Sequence, residues 1–596
     1  MSLPLADRLS ALRQRLRTDG LDGFLLLRGD EHLGEYVAPY AERLAWLTGF
    51  TGSAGLAIVL SDRAAVFADG RYTLQIETQV DGERWERLHL LQDHPDRWLA
   101  EAAAVPDREA RIGYDPWLMS EEFLGRYARP GIELVTVDAN PVDGIWTDRP
   151  AVPLAPAVPH PLERAGIASS DKRRQIAALL DEAGEDAVVL SDPASIAWLL
   201  NIRGGDIPFT PFALGFAILH RDTTAELFMA PEKLAADTRA WLGNEVSLHA
   251  PAALPGALAQ LAGRRVRIDP VTTPAWFART LRAAGATISA AADPIALPKA
   301  RKNPTEQDGT REAHRRDGAA MCRFLHWLSG NGVGVTELEV VERLNAFRAE
   351  SPLYRGESFP AISGSGPNGA IVHYRVDEAS NRTLGRNEVF LIDSGAQYPD
   401  GTTDITRTVW LGDGPAPDEV RDHATRVLKG HIALATIRFP AGVVGMRLDA
   451  LARMFLWQAG LDYDHGTGHG VGSFLSVHEG PCSIGPAARP VALEPGMVLS
   501  NEPGFYRAGA YGIRFENLVL VHATEPVDMP GAKPFLRFEP LTLVPFDRAL
   551  IEPAMLSAEE RRWVDTYHRR VRDTLRPLLT PEVQQWLDAA CAPLAN

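Results

Sequence analysis

Apolar residues recur along the chain in two rhythms, and the switching between them divides the sequence into rounds. The opening stretch MSLPLADRLSALRQRLRTDG sets Leu5, Leu9, Leu12 and Leu16 at helical spacing between charges, which predicts an amphipathic helix. GFLLLRG (23–29), GLAIVL (55–60) and AAVFAD (64–69) are short continuous apolar runs and predict buried strands, with helical stretches between or after them. A second round begins near residue 170, with a helix through KRRQIAALLDEAG, a strand AVVLSD (187–192) and then SIAWLLNIRGGD. Set beside RLAWLTGFTGSAG (43–55), that last piece suggests a weak internal repeat: in both, an Ala-Trp-Leu helix end runs into a glycine turn and an apolar strand. The Pro- and Ala-rich stretch RPAVPLAPAVPHPLERAG (149–166) reads as the linker between the rounds. In the third region the pattern predicts a long helix from Pro304 to Leu328, with Pro304 at its start. Two amphipathic helices, SAEERRWVDTYHRRVRDTLRPLL and TPEVQQWLDAACAPL, close the chain, their Trp and Leu stripes expected to pack on the last domain. The expected division is 1–160, 161–300 (a weak repeat of the first) and 301–596.

The third region breaks its own pattern. Apolar runs there carry an ionisable residue where an apolar one is expected. EVFLIDSGAQY puts Asp393 directly after Val389-Phe390-Leu391-Ile392, and a carboxylate at the end of a buried strand is costly unless paired or metal-bound. Taken alone, Asp393 could equally cap a turn. TTDITRTVWLG alternates, with Ile405 and Val409 on one face and Asp404, Thr406 and Thr408 on the other. Two adjacent antiparallel strands would present Asp393 and Asp404 to one point; an exposed strand face is the alternative. PGMVLSNEPGFY ends an apolar strand on Glu502, and YGIRFENLVLVH puts Arg514 and Glu516 on one face with Ile513 and Phe515 opposite.

HGTGHGVGSFLSVHEGP supplies the imidazoles. His465 and His469 have the i, i+4 spacing of a zinc-protease helix, but Gly466, Gly468, Gly470 and Gly472 sit among them, at a cost of roughly 1 kcal/mol per glycine in a helix. No glutamate follows His465, so this is not an HExxH site. The glycines instead suggest a backbone that must approach something closely. Ionisable groups on this many strand-like segments point to one shared site.

Composition narrows the chemistry. At 596 residues the chain is too long for one core, and its net charge of −16 disfavours nucleic acid. Cys322, Cys482 and Cys591 are scattered singly, which offers neither a disulfide framework nor a thiolate cluster and fits a reducing compartment. No signal peptide and no long apolar run is evident, so a soluble cytoplasmic protein is expected, with no membrane partner. Four carboxylates and an imidazole cannot converge without raised pKa values or strong positive charge. Two divalent cations would provide it, and hard oxygen donors favour Mn, Mg, Co or Zn over copper or iron–sulfur chemistry; such ion pairs are a recurrent device for hydrolysis.

IDSGAQYPDGTTDITRT, HGTGHGVGSFLSVHEGP, NEPGFY and YGIRFENLV resemble the signatures of the metallopeptidases with the pita-bread fold, and within them the three-domain cytosolic Xaa-Pro aminopeptidases. SGPNGAIVHYRV, FTGSAGLA and ADGRYTLQ match the same subgroup. The resemblance implies an α/β (α+β) chain: two creatinase-like α/β domains, then a pita-bread catalytic domain. It implies a metal-dependent hydrolase that cuts between any N-terminal residue and a penultimate proline, using a hydroxide bridged by two ions, with Mn²⁺ placed ahead of Co²⁺ or Zn²⁺. Carried over, Asp393, Asp404, His469, Glu502 and Glu516 are the metal ligands, with Asp404 and Glu516 bridging. Glu502 also handles the proton of the attacking water, His373 steadies the leaving-nitrogen side, and His478 hydrogen-bonds the substrate carbonyl. His465 lines the proline pocket, Arg71 contacts peptide, Arg514 organises Glu516 and the bound peptide, and the glycines let the chain pass close to peptide and metal. A homodimer is implied. A proline dipeptidase on the same fold and a non-catalytic peptide-binding relative are the competing readings; the complete ligand set speaks against the second.

Overall fold

The computed structural model describes residues 3–525 and 533–594. The chain divides into two compact units, Met1–Leu162 with Ile167–Ala296, and Glu163–Gly166 with Leu297–Asn596. Among the described residues no helix is long and apolar enough to cross a membrane.

The N-terminal unit holds two six-stranded sheets. The first comprises β1 (Gly23–Leu27), β2 (Leu56–Leu60), β3 (Ala64–Ala68), β4 (Glu86–His89), β5 (Ala110–Tyr114) and β6 (Ile132–Thr136), in the order β4-β3-β2-β1-β5-β6. The second comprises β7 (Ala187–Leu190), β8 (Phe216–His220), β9 (Ala225–Phe228), β10 (Val246–His249), β11 (Arg265–Ile268) and β12 (Thr287–Ala290), in the order β10-β9-β8-β7-β11-β12. Both sheets run through the same sequence of parallel and antiparallel steps. The two Ala-Trp-Leu segments end equivalent helices, Arg43–Thr48 and Pro193–Leu200, each stopped by a left-handed residue, Gly49 and Asn201. Leu9, Leu12 and Leu16 of α1 (Leu5–Thr18) are buried in the first core with Leu26, Leu44 and Phe50. The Pro- and Ala-rich stretch is held in place rather than free: the Ala155 N–H donates to Asp206 at 2.9 Å and the Ala157 N–H to the Lys233 carbonyl at 2.9 Å.

In the C-terminal unit, α2 (Pro304–Asn331) starts where expected and runs slightly further than the sequence pattern indicates. Asn303 and Glu306 form a reciprocal cap and Pro304 sits at the first helical position, where its missing N–H costs nothing. α3 (Glu337–Ala349) begins on a second reciprocal cap, between Thr336 and Glu339. Next come β13 (Ile362–Ser365), β14 (Val389–Ser394) and β15 (Ile405–Trp410), an antiparallel sheet in that order. Helices α4 (Asp418–Thr436) and α5 (Met446–Trp457) follow. A second antiparallel sheet, β16-β19-β18-β17, is built from β16 (Arg438–Pro440), β17 (Val498–Asn501), β18 (Asn517–Ala523) and β19 (Phe535–Pro540). The closing helices α6 (Ala558–Leu575) and α7 (Pro581–Ala590) pack as their stripes predict. Val571, Leu575 and Leu587 are fully buried with Val427, Leu428, Ile513 and Phe515, each such side chain contributing about 1.5–3 kcal/mol of burial.

Candidate metal centre

Pleating decides where the carboxylates point. Asp393, the fifth residue of β14, pairs across the ladder with Thr406 of β15, and Asp404 stands just before β15 begins. Ile405 and Val409 turn into an apolar cluster with Phe390 and Ile392, so Asp404 and Thr406 face the other way, as the alternation requires. Ile513 and Phe515 likewise enter the core, while Arg514 and Glu516 both reach Thr406. The Thr406 hydroxyl donates to Glu516 Oε2 at 2.7 Å and accepts from Arg514 Nε at 3.1 Å. Glu516 is not inside a strand: it falls in the short gap between the strand Tyr511–Arg514 and β18.

The glycine-rich segment is extended, not helical. Gly468–His469 forms a two-residue bridge with Ser483–Ile484. His469 Nδ1 lies 3.0 Å from the Gly470 carbonyl. A carbonyl only accepts, so Nδ1 carries a proton, and in the neutral ring Nε2 keeps its lone pair for a metal. That Nε2 lies 3.4 Å from Asp404 Oδ2 and 3.5 Å from Glu502 Oε1. One donor atom each from Asp404, His469 and Glu516 falls within 4.8 Å of the others. Glu502 follows β17 directly, its N–H donating to the Thr467 carbonyl at 2.8 Å, and Ser500 Oγ donates to its Oε1 at 3.1 Å. Asp393 is reached through Arg514, whose Nη2 donates to Oδ2 at 2.7 Å.

The tight neighbours of the glycines are the chain itself. A Cβ on Gly468 would lie 2.1 Å from the Ser500 carbonyl oxygen, and one on Gly470 would lie 2.2 Å from that of Glu479. The protein's own backbone, passing on both sides of His469, is what excludes side chains there.

The electrostatics describe a cage that wants cations. Burial, with Asp393 and Glu502 nearby, pushes the Asp404 carboxyl up to about 6 against the contact from His469. Burial raises Glu516 well above the ordinary carboxylate range, reinforced by Asp404, Glu502 and Asp393. Burial works against a charged His469, yet Asp404 and Glu502 lift it to about 9. Asp393 Oδ1 and Glu516 Oε1 are buried with no hydrogen-bond partner among the described residues. Oxygens of this kind, left open inside a group of mutually repelling carboxylates, fit divalent cations with oxygen-rich coordination.

The other predicted residues fall into two groups. His478 stands against His469, ring centroids 4.3 Å apart at 77°. His465 Nδ1 donates to the Gly466 carbonyl at 2.7 Å, and its Nε2 accepts from the Tyr506 hydroxyl at 2.9 Å. That hydroxyl in turn accepts from Arg514 Nη1 at 2.5 Å. His373 follows Val372, whose carbonyl accepts from the same Nη1 at 3.4 Å. Arg71 belongs to the N-terminal unit, where it is paired with Asp69 at 2.7 Å and lies 3.8 Å from Glu35. Sequence reasoning placed Thr406 on the right face without giving it a role, and it missed Ser500 and Tyr506. A Ser two residues before Glu502 carries no signal of its own. Tyr506 meets Arg514 only because the strands Gly504–Arg507 and Tyr511–Arg514 pair, setting Gly504 opposite Arg514.

Known proteins resemble the chain over nearly its whole length. The model of metallopeptidase family M24 matches residues 308–523, and that of the C-terminal region of peptidase M24 matches 534–594. Two creatinase/prolidase N-terminal domain models match 8–142 and 148–306. The chain is 38% identical to a probable Xaa-Pro aminopeptidase P of Neosartorya fischeri, over 99% of this chain and 93% of that one. It is also 38% identical to one of Paracoccidioides brasiliensis, over 95% of each. Among solved structures it resembles the X-prolyl aminopeptidase of Caenorhabditis elegans, described as a cytosolic enzyme with a di-nuclear active site, at a TM-score of 0.93 and 34% identity over 99% of this chain and 100% of that one. The expected fold class, two creatinase-like α/β domains before a pita-bread domain, stands. The chain therefore belongs to metallopeptidase family M24, in its Xaa-Pro aminopeptidase P branch.

Proposed function

We propose that this metal-dependent aminopeptidase removes the N-terminal residue from peptides with proline second, using two divalent ions held by Asp393, Asp404, His469, Glu502 and Glu516. The observation that carries the assignment is the pair of buried, unpartnered oxygens, Asp393 Oδ1 and Glu516 Oε1, beside the close group of Asp404, His469 and Glu516. When bound, the ions lower the pKa of water and polarise the scissile carbonyl; Mn²⁺ is the proposed metal, with Co²⁺ or Zn²⁺ as substitutes. Asp404 and Glu516, at the centre of the group with His469, would hold the ions. Glu502, at the open side of the group and only partly buried, takes the proton of the attacking water. His478, packed on His469, donates to the carbonyl as charge builds on its oxygen. His373 donates to the leaving nitrogen. Arg514 fixes Asp393 and Glu516 through its bonds to Asp393 and Thr406.

A penultimate proline presents a tertiary amide with no N–H, so selection rests on the shape of the ring. His465, held by Tyr506 and its own backbone, is the proposed pocket wall. Arg71 is proposed as a peptide contact, so Arg71→Ala raises KM for tripeptides and longer peptides at unchanged metal content. Homodimerisation and a cytosolic location are proposed as well. The exposed apolar stripe Met446, Met454 and Trp457 on α5 supports the first, and a purely monomeric mass in sedimentation would refute it. The decisive assay is product analysis with Arg-Pro-Pro, Gly-Pro, Ala-Pro-Ala and Ala-Ala-Ala in Mn²⁺. Release of the first residue from the proline-containing tripeptides alone is expected. Comparable turnover of Ala-Ala-Ala and Ala-Pro-Ala would overturn the specificity.

A further inference from the structure

His373 lies in the first half of a long loop, residues 366–388, with little regular structure after its opening turn Gly366–Ala370. A loop holding a proton donor must be fixed from somewhere, since small misplacements of a reacting group can cost about 10²-fold in rate. The fixing point is a buried carboxylate that no metal or substrate role uses. Glu337, the first residue of α3, is fully buried. Its Oε1 accepts from the Ser365 N–H at 2.7 Å, where the loop begins. Its Oε2 accepts from the Arg382 N–H at 3.0 Å, sixteen residues past the opening glycine. Between those points Asn368 Nδ2 donates to both oxygens, at 3.1 and 3.0 Å, and the Tyr374 hydroxyl donates to Oε2 at 2.9 Å. Asn368 Nδ2 also reaches the Tyr374 hydroxyl at 2.9 Å. The Ser365 and Arg382 N–H groups and the Asn368 amide are donors only, which suits a carboxylate acceptor, while the single Tyr374 proton is shared with the Ser380 carbonyl, also at 2.9 Å.

His373 is therefore bracketed. Its neighbour Val372 accepts from Arg514, the residue that holds Asp393. Its other neighbour, Tyr374, hangs on Glu337. The side chain between them is set relative to the metal ligands on one side and to α3 on the other.

We propose that Glu337 is a positioning residue for catalysis, acting through Tyr374 and Asn368 to hold His373 in place; this rests on the role assigned to His373 above. The loop carries no metal ligand, so losing the anchor should slow turnover without releasing metal. The test is a double-mutant cycle on the Mn²⁺-loaded enzyme with Ala-Pro-Ala, comparing Glu337→Gln, His373→Ala and the pair, with metal content and thermal midpoint measured on each. Glu337→Gln keeps the size but turns two N–H donors toward an arc of donors. We expect kcat to fall about 10- to 100-fold with KM and bound Mn²⁺ unchanged. In the His373→Ala background the same change should cost less than about twofold, because coupled residues are non-additive. Tyr374→Phe removes a single hydroxyl and serves if Glu337→Gln does not fold; it should show a smaller kcat loss that also vanishes without His373. An equal loss of kcat with and without His373, or loss of Mn²⁺, would overturn the positioning role. A His373→Ala enzyme with full kcat would instead overturn the assignment of His373 itself, and the proposal with it.

Discussion

Arg514 Nη2 lies 2.7 Å from Asp393 Oδ2, and the same guanidinium serves Thr406, Tyr506 and the Val372 carbonyl. One planar, fully buried fork thus ties a proposed ligand, the hydroxyl that steadies Glu516, the partner of His465 and the neighbour of His373. A lysine has the charge but not the fork. Arg514→Lys should lower Mn²⁺ affinity about 10- to 100-fold while the chain remains folded. Titration of the chelated variant checks this, and an affinity equal to the parent's would contradict it.

The two non-ligand histidines separate chemistry from metal binding. His373→Ala and His478→Ala should each reduce kcat by about 10²–10⁴-fold and keep nearly normal metal content. His469→Ala should lose metal. Metal analysis alongside steady-state kinetics reads both quantities. A metal loss in His478→Ala as deep as in His469→Ala would mean that His478 has been given the wrong role.

Much of the site was legible because its residues violate the pattern of their own strands. Asp393 after an apolar run and Asp404 beside Ile405 stand out against burial, and a reader of the sequence needs only the pleat to bring them together. Tyr506 and Ser500 were not legible. Both are ordinary residues in ordinary strands, and only pairing across a hairpin or beside His469 gives them work. Glu337 was hidden for the opposite reason. A glutamate one residue after a helix cap satisfies local rules completely, so nothing marks it as the anchor of a loop some forty residues downstream. Glycine density around His469 was read correctly as close approach, but the approaching group, the backbone of Ser500 and Glu479, is a fact of tertiary structure.

Arg407 carries a stability prediction. It is buried beside the candidate metal centre without a carboxylate partner among the described residues, and donates to the carbonyls of Thr406, Glu516, Val544 and Pro545, to Asn517 Oδ1 and to the Tyr567 hydroxyl of α6. Truncation leaves these acceptors buried and unpaired, at about 1–3 kcal/mol for each that water does not reach. Arg407→Leu should therefore lose at least about 3 kcal/mol. Urea unfolding of the chelated protein measures it, and an unchanged midpoint at the same slope would contradict the role given to this side chain.

The central claim is that five residues hold two divalent ions and that cleavage needs both. Stepwise addition of Mn²⁺ to the chelated enzyme, with Arg-Pro-Pro turnover read at each step, tests it most directly. The account predicts no turnover without metal, recovery that is complete at two ions per chain, and no recovery at any equivalent in Asp404→Ala. Full turnover in the chelated enzyme, or an Asp404→Ala variant that recovers like the parent, would contradict it.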